Sequence, residues 1–335
     1  QALFLRAWNY HMLYSLFGRV PIVDHTFDLD SSFELQREDM DKVADFIIKD
    51  LDEAAALLPI EYSDPNDFGR VTKGAALALK SRVLLYKASP LFGTPSTEKW
   101  QAAANAAKAV FDLNKYYLKT VNNSEEYGAL FYDVKNPEVI FEKLFDPKYG
   151  SGDNNSFLYQ APCGIGNGFQ GWGNFNPTQN LVDKFQMADG TASEKKTHYD
   201  YYPWNGREIR FYAAFLLDGD EWGYGKDKRE VEVYYGGDET IPAGKDSNWG
   251  EYWWNASNTG YSMRKFLDPS YDATGTTMHT TPWFFIRLSE IYLNYAECQI
   301  ELGNNSEALE YINKVRTRAL LPPATVSIRA EPSSV

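Results

Sequence analysis

The chain is poor in the residues that build most metal and redox sites: 335 residues hold two cysteines and four histidines. Cys163 and Cys298 fit no zinc-ligand spacing and no CxxC pair. Cys298 falls on a helical apolar stripe and reads as a small core residue. A Cys163–Cys298 disulfide stays open, with no geometric support in the spacing. His11, His25, His198 and His279 stand far apart with no HxxxH or HxH pair, so no histidine-built metal site and no cofactor is expected. No EF-hand loop occurs, although an oxygen-ligand calcium site in the Asp/Asn-rich loops stays open. Basic charge is short as well. Lys+Arg number 33 against 46 Asp+Glu, a net charge of −13, which disfavours nucleic acid or an anionic membrane surface as partner. No apolar run approaches the ~20 residues of a membrane span.

Signatures of catalysis are missing too. Gly164-x-Gly166-x-Gly168 is not GxGxxG, and neither GxxxxGK[ST] nor GxSxG occurs. Glycoside hydrolysis needs two carboxylates about 5–10 Å apart. With 46 acidic residues, some pair meets that distance by chance, and nothing marks one acid as special. No catalytic residue is expected.

What is present first is helical periodicity. In 286–319 (IRLSEIYLNYAECQIELGNNSEALEYINKVRTRA), Leu288, Ile291, Tyr292, Tyr295, Cys298 and Leu302 recur at steps of three and four. Gly303 suits the positive φ of a helix end, and Asn305 or Ser306 suits the next N-cap. Ala308, Ile312, Val315 and Ala319 line the second helix, and small Ala296 and Ala308 allow close backbone approach. The unit has the roughly 34-residue tetratricopeptide period. Such a pair needs neighbours to bury its stripe, and 1–17, 38–58, 73–89 and 98–113 supply them. The helix at 38–58 stops at Pro59; that at 73–89 follows Thr72 as a cap and stops at Pro90. Apolar residues lie on two sides of 73–89, so it is expected between other helices.

The middle of the chain differs. Of 24 glycines, 17 lie between 150 and 260, with six of the nine tryptophans. Glycine marks turns and close backbone approaches, so loops with short strands are expected. Glu230–Tyr235 (EVEVYY) alternates with period two, and Val139–Phe145 is a second candidate strand. A loop region this long usually has a binding role. The expected fold is mostly α: tetratricopeptide-like helix pairs with a long loop-rich insertion containing short strands. The expected organisation is a single domain over 1–323, with a helical scaffold (1–120 and 284–323), a loop-rich ligand-binding region (121–283) and an irregular tail (324–335).

Aromatics make up 16% of residues, more than a core alone usually needs. Indole and phenol rings offer a flat apolar face with one polar edge. Sugar rings match this: their C–H faces stack on aromatics while their hydroxyls call for amides and carboxylates at the rim. DSNWGEYWWNASN (246–258) offers Trp249, Trp253, Trp254 and Asn255, with Asp246 and Asn248; GWGNFN (171–176) offers Trp172 and Asn174; EWGYG (221–225) offers Trp222 and Tyr224. The ligand-binding candidates are Trp172, Trp222, Tyr224, Trp249, Trp253, Trp254 and Asn255. Each Trp could instead pin a loop to the scaffold, and a protein interface would use the same residue types.

Six ordered blocks carry a family resemblance: RAWNYHMLYSLFGRVPIV (6–23), IIKDLDEAAALLP (47–59), GRVTKGAALALKSRVLLYKASPLF (69–92), PTQNLVDKFQMADG (177–190), GYSMRKFLDP (260–269) and the helix pair of 286–319. In this order they resemble the SusD/RagB outer-membrane nutrient-binding lipoproteins of Bacteroidetes-type bacteria. The resemblance implies a SusD-like fold and a non-catalytic, surface-exposed glycan-binding protein of polysaccharide (starch) utilisation. It also implies a partner, a SusC-type TonB-dependent transporter that receives the oligosaccharide. Some members of the family bind peptides. A glycoside hydrolase and a helical-repeat scaffold binding proteins or peptides are the alternative readings. Family members begin with a signal peptide and a lipid-bearing cysteine, followed by further N-terminal segments. Gln1 opens inside a helix pattern and the block after the last helix pair is missing, so a fragment lacking both ends is expected. The anchor cysteine would lie outside it. Part of the family's glycan site comes from that N-terminal portion, so no family ligand residue carries over to a numbered position here.

Overall fold

Amphipathic helices set the scaffold. A computed structural model describes residues 1–28, 30, 34–145, 173–193, 204–222, 228–236, 240, 242–250, 253–270 and 280–325. Four long helices come first: α1 (Ala2–Phe17), α2 (Met40–Leu57), α3 (Lys73–Ala88) and α4 (Thr97–Phe111). The Thr72 hydroxyl accepts from the Ala75 N–H at 3.4 Å, and Ser96 caps α4 through the Lys99 N–H at 3.3 Å. Each cap satisfies a backbone donor that the helix itself leaves free. The helices pack in sequence order, α1 on α2, α2 on α3, α3 on α4. Helix α3 is covered on two sides, with Ala75, Ala76, Ala78, Leu79, Val83, Leu85 and Ala88 all buried. Gly74 lies against the Tyr116 phenol so closely that a Cβ there would sit 2.1 Å from its oxygen. Glycine is the residue that this approach admits.

After α4 the chain forms the short α5 (Ser124–Ala129) and strand β1 (Val139–Lys143), then enters the loop-rich region. That region contains α6 (Gln179–Val182), α7 (Ile209–Ala214), β2 (Phe215–Leu216), β3 (Glu221–Trp222), β4 (Arg229–Glu230) and β5 (Ser262–Met263). It returns through β6 (Trp283–Arg287) into α8 (Leu288–Glu301) and α9 (Asn305–Arg318). In space α8 packs on α4 and α9 on α8, so the last helix pair continues the stack that α4 leaves open. Residues Leu288, Ile291, Tyr295, Cys298, Ala296 and Ala308 are buried between them. Burial pushes the Cys298 thiol up to about 12, as for an inert core cysteine; Cys163 lies outside the described residues. Gly303 takes φ +81° at the end of α8. The following cap falls on Asn304 rather than Asn305 or Ser306, its side-chain amide donating to Gln299 Oε1 at 2.7 Å.

The insertion is closed at its neck. Strand β1 pairs antiparallel with β6, with Phe141 opposite Ile286 and Lys143 opposite Trp283. Beside this pair the Glu138 carboxylate is fully buried; it accepts from the Lys119 N–H at 3.1 Å, from Arg287 Nη1 at 3.4 Å and from Arg318 Nη1. Arg82 clamps α3 to α8 through both oxygens of Glu290, at 2.6 and 2.7 Å, and donates to the Phe285 carbonyl at 2.7 Å. Buried charge pairs of this kind fix geometry more than they add stability.

The expected strand at 139–145 forms, over Val139–Lys143. The strand expected at 230–235 does not extend beyond Glu230. Its later backbone donors are taken by side chains instead: Glu232 N–H by Asp246 at 2.9 Å and Val233 N–H by Asp218 at 2.8 Å. The described parts of the insertion carry their own aromatic cores. One gathers Val182, Phe211, Phe215 and Leu217; another joins Tyr127, Leu130 and Phe131 to Ala213 and Ala319. Among the described residues, no helix is long and apolar enough to cross a membrane.

Candidate ligand-binding site

Two loop segments far apart in sequence are tied together on the insertion. The Asn258 N–H donates to Asn176 Oδ1 at 2.7 Å, the Thr259 hydroxyl to the Pro177 carbonyl at 2.7 Å, and the Tyr261 hydroxyl to Gln179 Oε1 at 3.0 Å. Burial pushes the Tyr261 phenol up, keeping it a neutral donor. Asn248 Nδ2 donates to the Ser257 carbonyl at 3.1 Å. Between these segments lies a hollow of about 420 Å³ lined by Asn174, Asn176, Asn248, Asn258, Trp253 and Trp254, together with Gly173 and Ala256. Its size lies within the ~300–1,000 Å³ usual for ligand pockets.

Trp253 is 61% and Trp254 59% exposed, and their rings meet edge to face with centroids 6.0 Å apart. Large rings left open to water beside four amides form an amphipathic surface. Asn176 Nδ2 donates to the Gly173 carbonyl at 2.8 Å and Asn248 Nδ2 to that of Ser257, so the Asn174 and Asn258 side chains are the amides left to offer a ligand donors and acceptors beside the rings. Trp249 stands just outside, 69% exposed, its ring perpendicular to that of Tyr235 at 5.2 Å.

The 244–250 turn that carries Asn248 and Trp249 is rigidly founded. Arg229 donates to both oxygens of the buried Asp246, at 2.8 and 2.9 Å, and the Glu232 N–H adds a third bond at 2.9 Å. Gly244 approaches the Glu232 carbonyl so closely that a Cβ would lie 2.4 Å away. Asp246 was expected at a polar rim; its oxygens are occupied by this anchor instead.

Trp253, Trp254 and Trp249 are thus exposed, the first two in the hollow. Asn255 shares their 3-10 turn, but its side chain lies outside the described residues, as do Trp172 and Tyr224. Trp222 must be withdrawn from the set. It is 3% exposed, in β3, and lines a separate cavity of about 710 Å³ with Tyr132 and Arg264. Paired with β4, it serves as a loop pin rather than an open stacking face. Asn176, Asn258 and Tyr235 were not singled out from sequence. The asparagines stand within the tryptophan-rich segments, and that proximity was the available signal. Among the described residues, no group of three His, Cys, Asp or Glu side chains is placed to hold a metal ion.

With this geometry in view, comparisons place the chain. The SusD family model matches residues 137–333, more than half of the chain, and a model described as starch-binding associating with outer membrane matches residues 1–85. The chain belongs to the SusD family. SusD-like protein P25 of Formosa agariphila is 23% identical over 330 residues, covering 94% of this chain and 54% of that protein. A solved SusD-like protein of Bacteroides fragilis superposes with a TM-score of 0.81 at 29% identity, over 97% of this chain and 62% of its own. A SusD-like carbohydrate-binding protein of the same species gives 0.76 at 25% identity, over 97% and 60%. The chain spans about half the length of the curated relatives it matches.

Proposed function

We propose that this chain is the glycan-capturing part of a non-catalytic cell-surface protein. It would bind an oligosaccharide in the Trp253–Trp254 hollow and pass it to a SusC-type TonB-dependent transporter at the outer membrane. The full-length protein would be held there by lipid on an N-terminal cysteine. The observation that carries the reading is the pairing of two open indole faces with four asparagine amides in one hollow. Membership of the SusD family supports it, as do the outer-membrane starch-binding description of one matching model and the carbohydrate-binding name of one structural relative.

Affinity would come from one or two ring stacks of about 0.5–1.5 kcal/mol each, by analogy with aromatic pairs. Rim hydrogen bonds would add about 0.5–1.5 kcal/mol net apiece. After association costs, such sums give about micromolar to millimolar binding, which suits a protein that must release its cargo. A glycan array on the full-length protein, followed by calorimetry on the strongest oligosaccharide, tests the reading. Binding without release of reducing ends supports capture; turnover would make the protein a hydrolase. Capture of protein partners with no glycan binding would leave only the scaffold role. Co-purification of a TonB-dependent transporter from outer membranes tests the handover separately.

A further inference from the structure

A second concave site lies on the scaffold, in a groove between residues 60–72, 115–117 and 134–142. Its volume is about 520 Å³, and Tyr62, Phe68, Tyr116 and Tyr117 stand along it, with Glu142 of β1 also in its lining. Phe68 and Tyr117 are exposed, at 54% and 64%. Of the groove's lining, Glu142 carries a buried polar atom that no described residue answers. Its Oε2 is sealed from solvent and accepts no hydrogen bond, so a ligand in the groove meets the carboxylate at Oε1, which likewise accepts none from the described residues. No described lysine or arginine forms an ion pair with it.

The other charges around the groove are already paired or face water. Lys115 holds Glu61 at 2.6 Å, Arg70 holds Asp67 at 2.5 Å, and Lys119 holds Asp133 at 2.8 Å. Asp64 accepts the Asn66 N–H at 2.9 Å, and Lys135 is exposed at the rim. A carboxylate without a counter-charge, beside aromatic rings, is chemically complementary to a cation. An ammonium brings the missing charge and three donors, and it is also attracted to phenol and phenyl faces. A neutral hydroxyl brings one donor and leaves the charge uncompensated.

We propose that this groove is a second ligand site, specific for a primary ammonium group seated on Glu142 among Tyr62, Tyr116, Tyr117 and Phe68. The ammonium could be carried by an amino sugar or by a lysine-bearing peptide; the chemistry recognised is the same. The site is independent of the tryptophan hollow. Burial, and secondarily the charge of Asp133, push Glu142 up to about 7, so occupancy depends on pH. Trilysine requires the ionised carboxylate, and lowering the pH from about 7.5 to about 5.5 should weaken it on the order of tenfold.

Calorimetry on the full chain tests the site with two probes, trilysine amide and a glucosamine disaccharide, each beside its fully N-acetylated counterpart. Binding of either amine, at least tenfold tighter than its acetylated form, supports the site and identifies the source. Glu142→Gln should weaken that binding at least tenfold with no fall in melting temperature, and Trp253→Ala should leave it unchanged. The proposal is overturned if neither amine binds, if acetylation makes no difference, or if folded Glu142→Gln retains wild-type affinity.

Discussion

Replacing Glu142 with glutamine should stabilise the protein at neutral and higher pH and leave it unchanged near pH 4. The carboxyl is raised from 4.5 to about 7 in the folded state, first by burial and then by the Asp133 charge. A raised carboxyl means that the folded chain holds this proton more tightly than the unfolded chain. Its contribution is therefore fully present below about pH 4.5 and is lost as the pH rises through 7. At about 1.4 kcal/mol per tenfold change, the gap corresponds to an upper bound of about 3 kcal/mol. Partial exposure of the side chain, and the unpaired amide that glutamine introduces, reduce the net gain to about 1–2 kcal/mol. For a chain of this size that is a rise of a few degrees in Tm, on the order of 2–4 °C per kcal/mol or less. Thermal melts of both proteins at about pH 4, 6 and 8 read the effect directly. A variant no more stable at pH 8, or equally stabilised at pH 4, would refute the reasoning.

Glu138→Gln should have the opposite sign. It leaves the buried Arg318 and half-buried Arg287 guanidiniums beside a neutral amide at the neck, and loss of one partner from such a cluster costs about 3–5 kcal/mol. A urea-denaturation difference below about 1 kcal/mol would contradict that role. Asp246→Ala removes the acceptor of three hydrogen bonds beneath the 244–250 turn. Glycan affinity should fall although Asp246 lines no part of the hollow, with a stability loss of about 1–3 kcal/mol measured in the same melts.

The scaffold was legible because its signals are local. Thr72, Pro59, Pro90 and Gly303 mark helix ends whatever surrounds them, and the Leu288–Leu302 stripe repeats at the helical period. The partial failure of EVEVYY shows the limit. Its alternation suits a strand, but Asp218 and Asp246, brought in by other loops, take the backbone donors that a neighbouring strand would need. Trp222 shows the same limit on side chains: composition identifies a tryptophan-rich loop, while burial depends on how β3 meets β4. The asparagine cluster needed the contact between Asn176 and Asn258, across segments that no periodicity links. Glu142 was invisible for a related reason. In VIFEK it is an ordinary strand residue, and its lack of a partner among the described residues follows from which of their lysines pair elsewhere.

The most direct measurement is isothermal calorimetry of the full-length protein with its strongest array oligosaccharide, comparing wild type with Trp253→Ala and Trp254→Ala. Both rings stand open to water, so their removal should shift Tm little. Loss of a stacking face worth about 1.4 kcal/mol should weaken binding about tenfold in each variant. Wild-type affinity in both folded variants would show that the sugar binds elsewhere and would contradict the account.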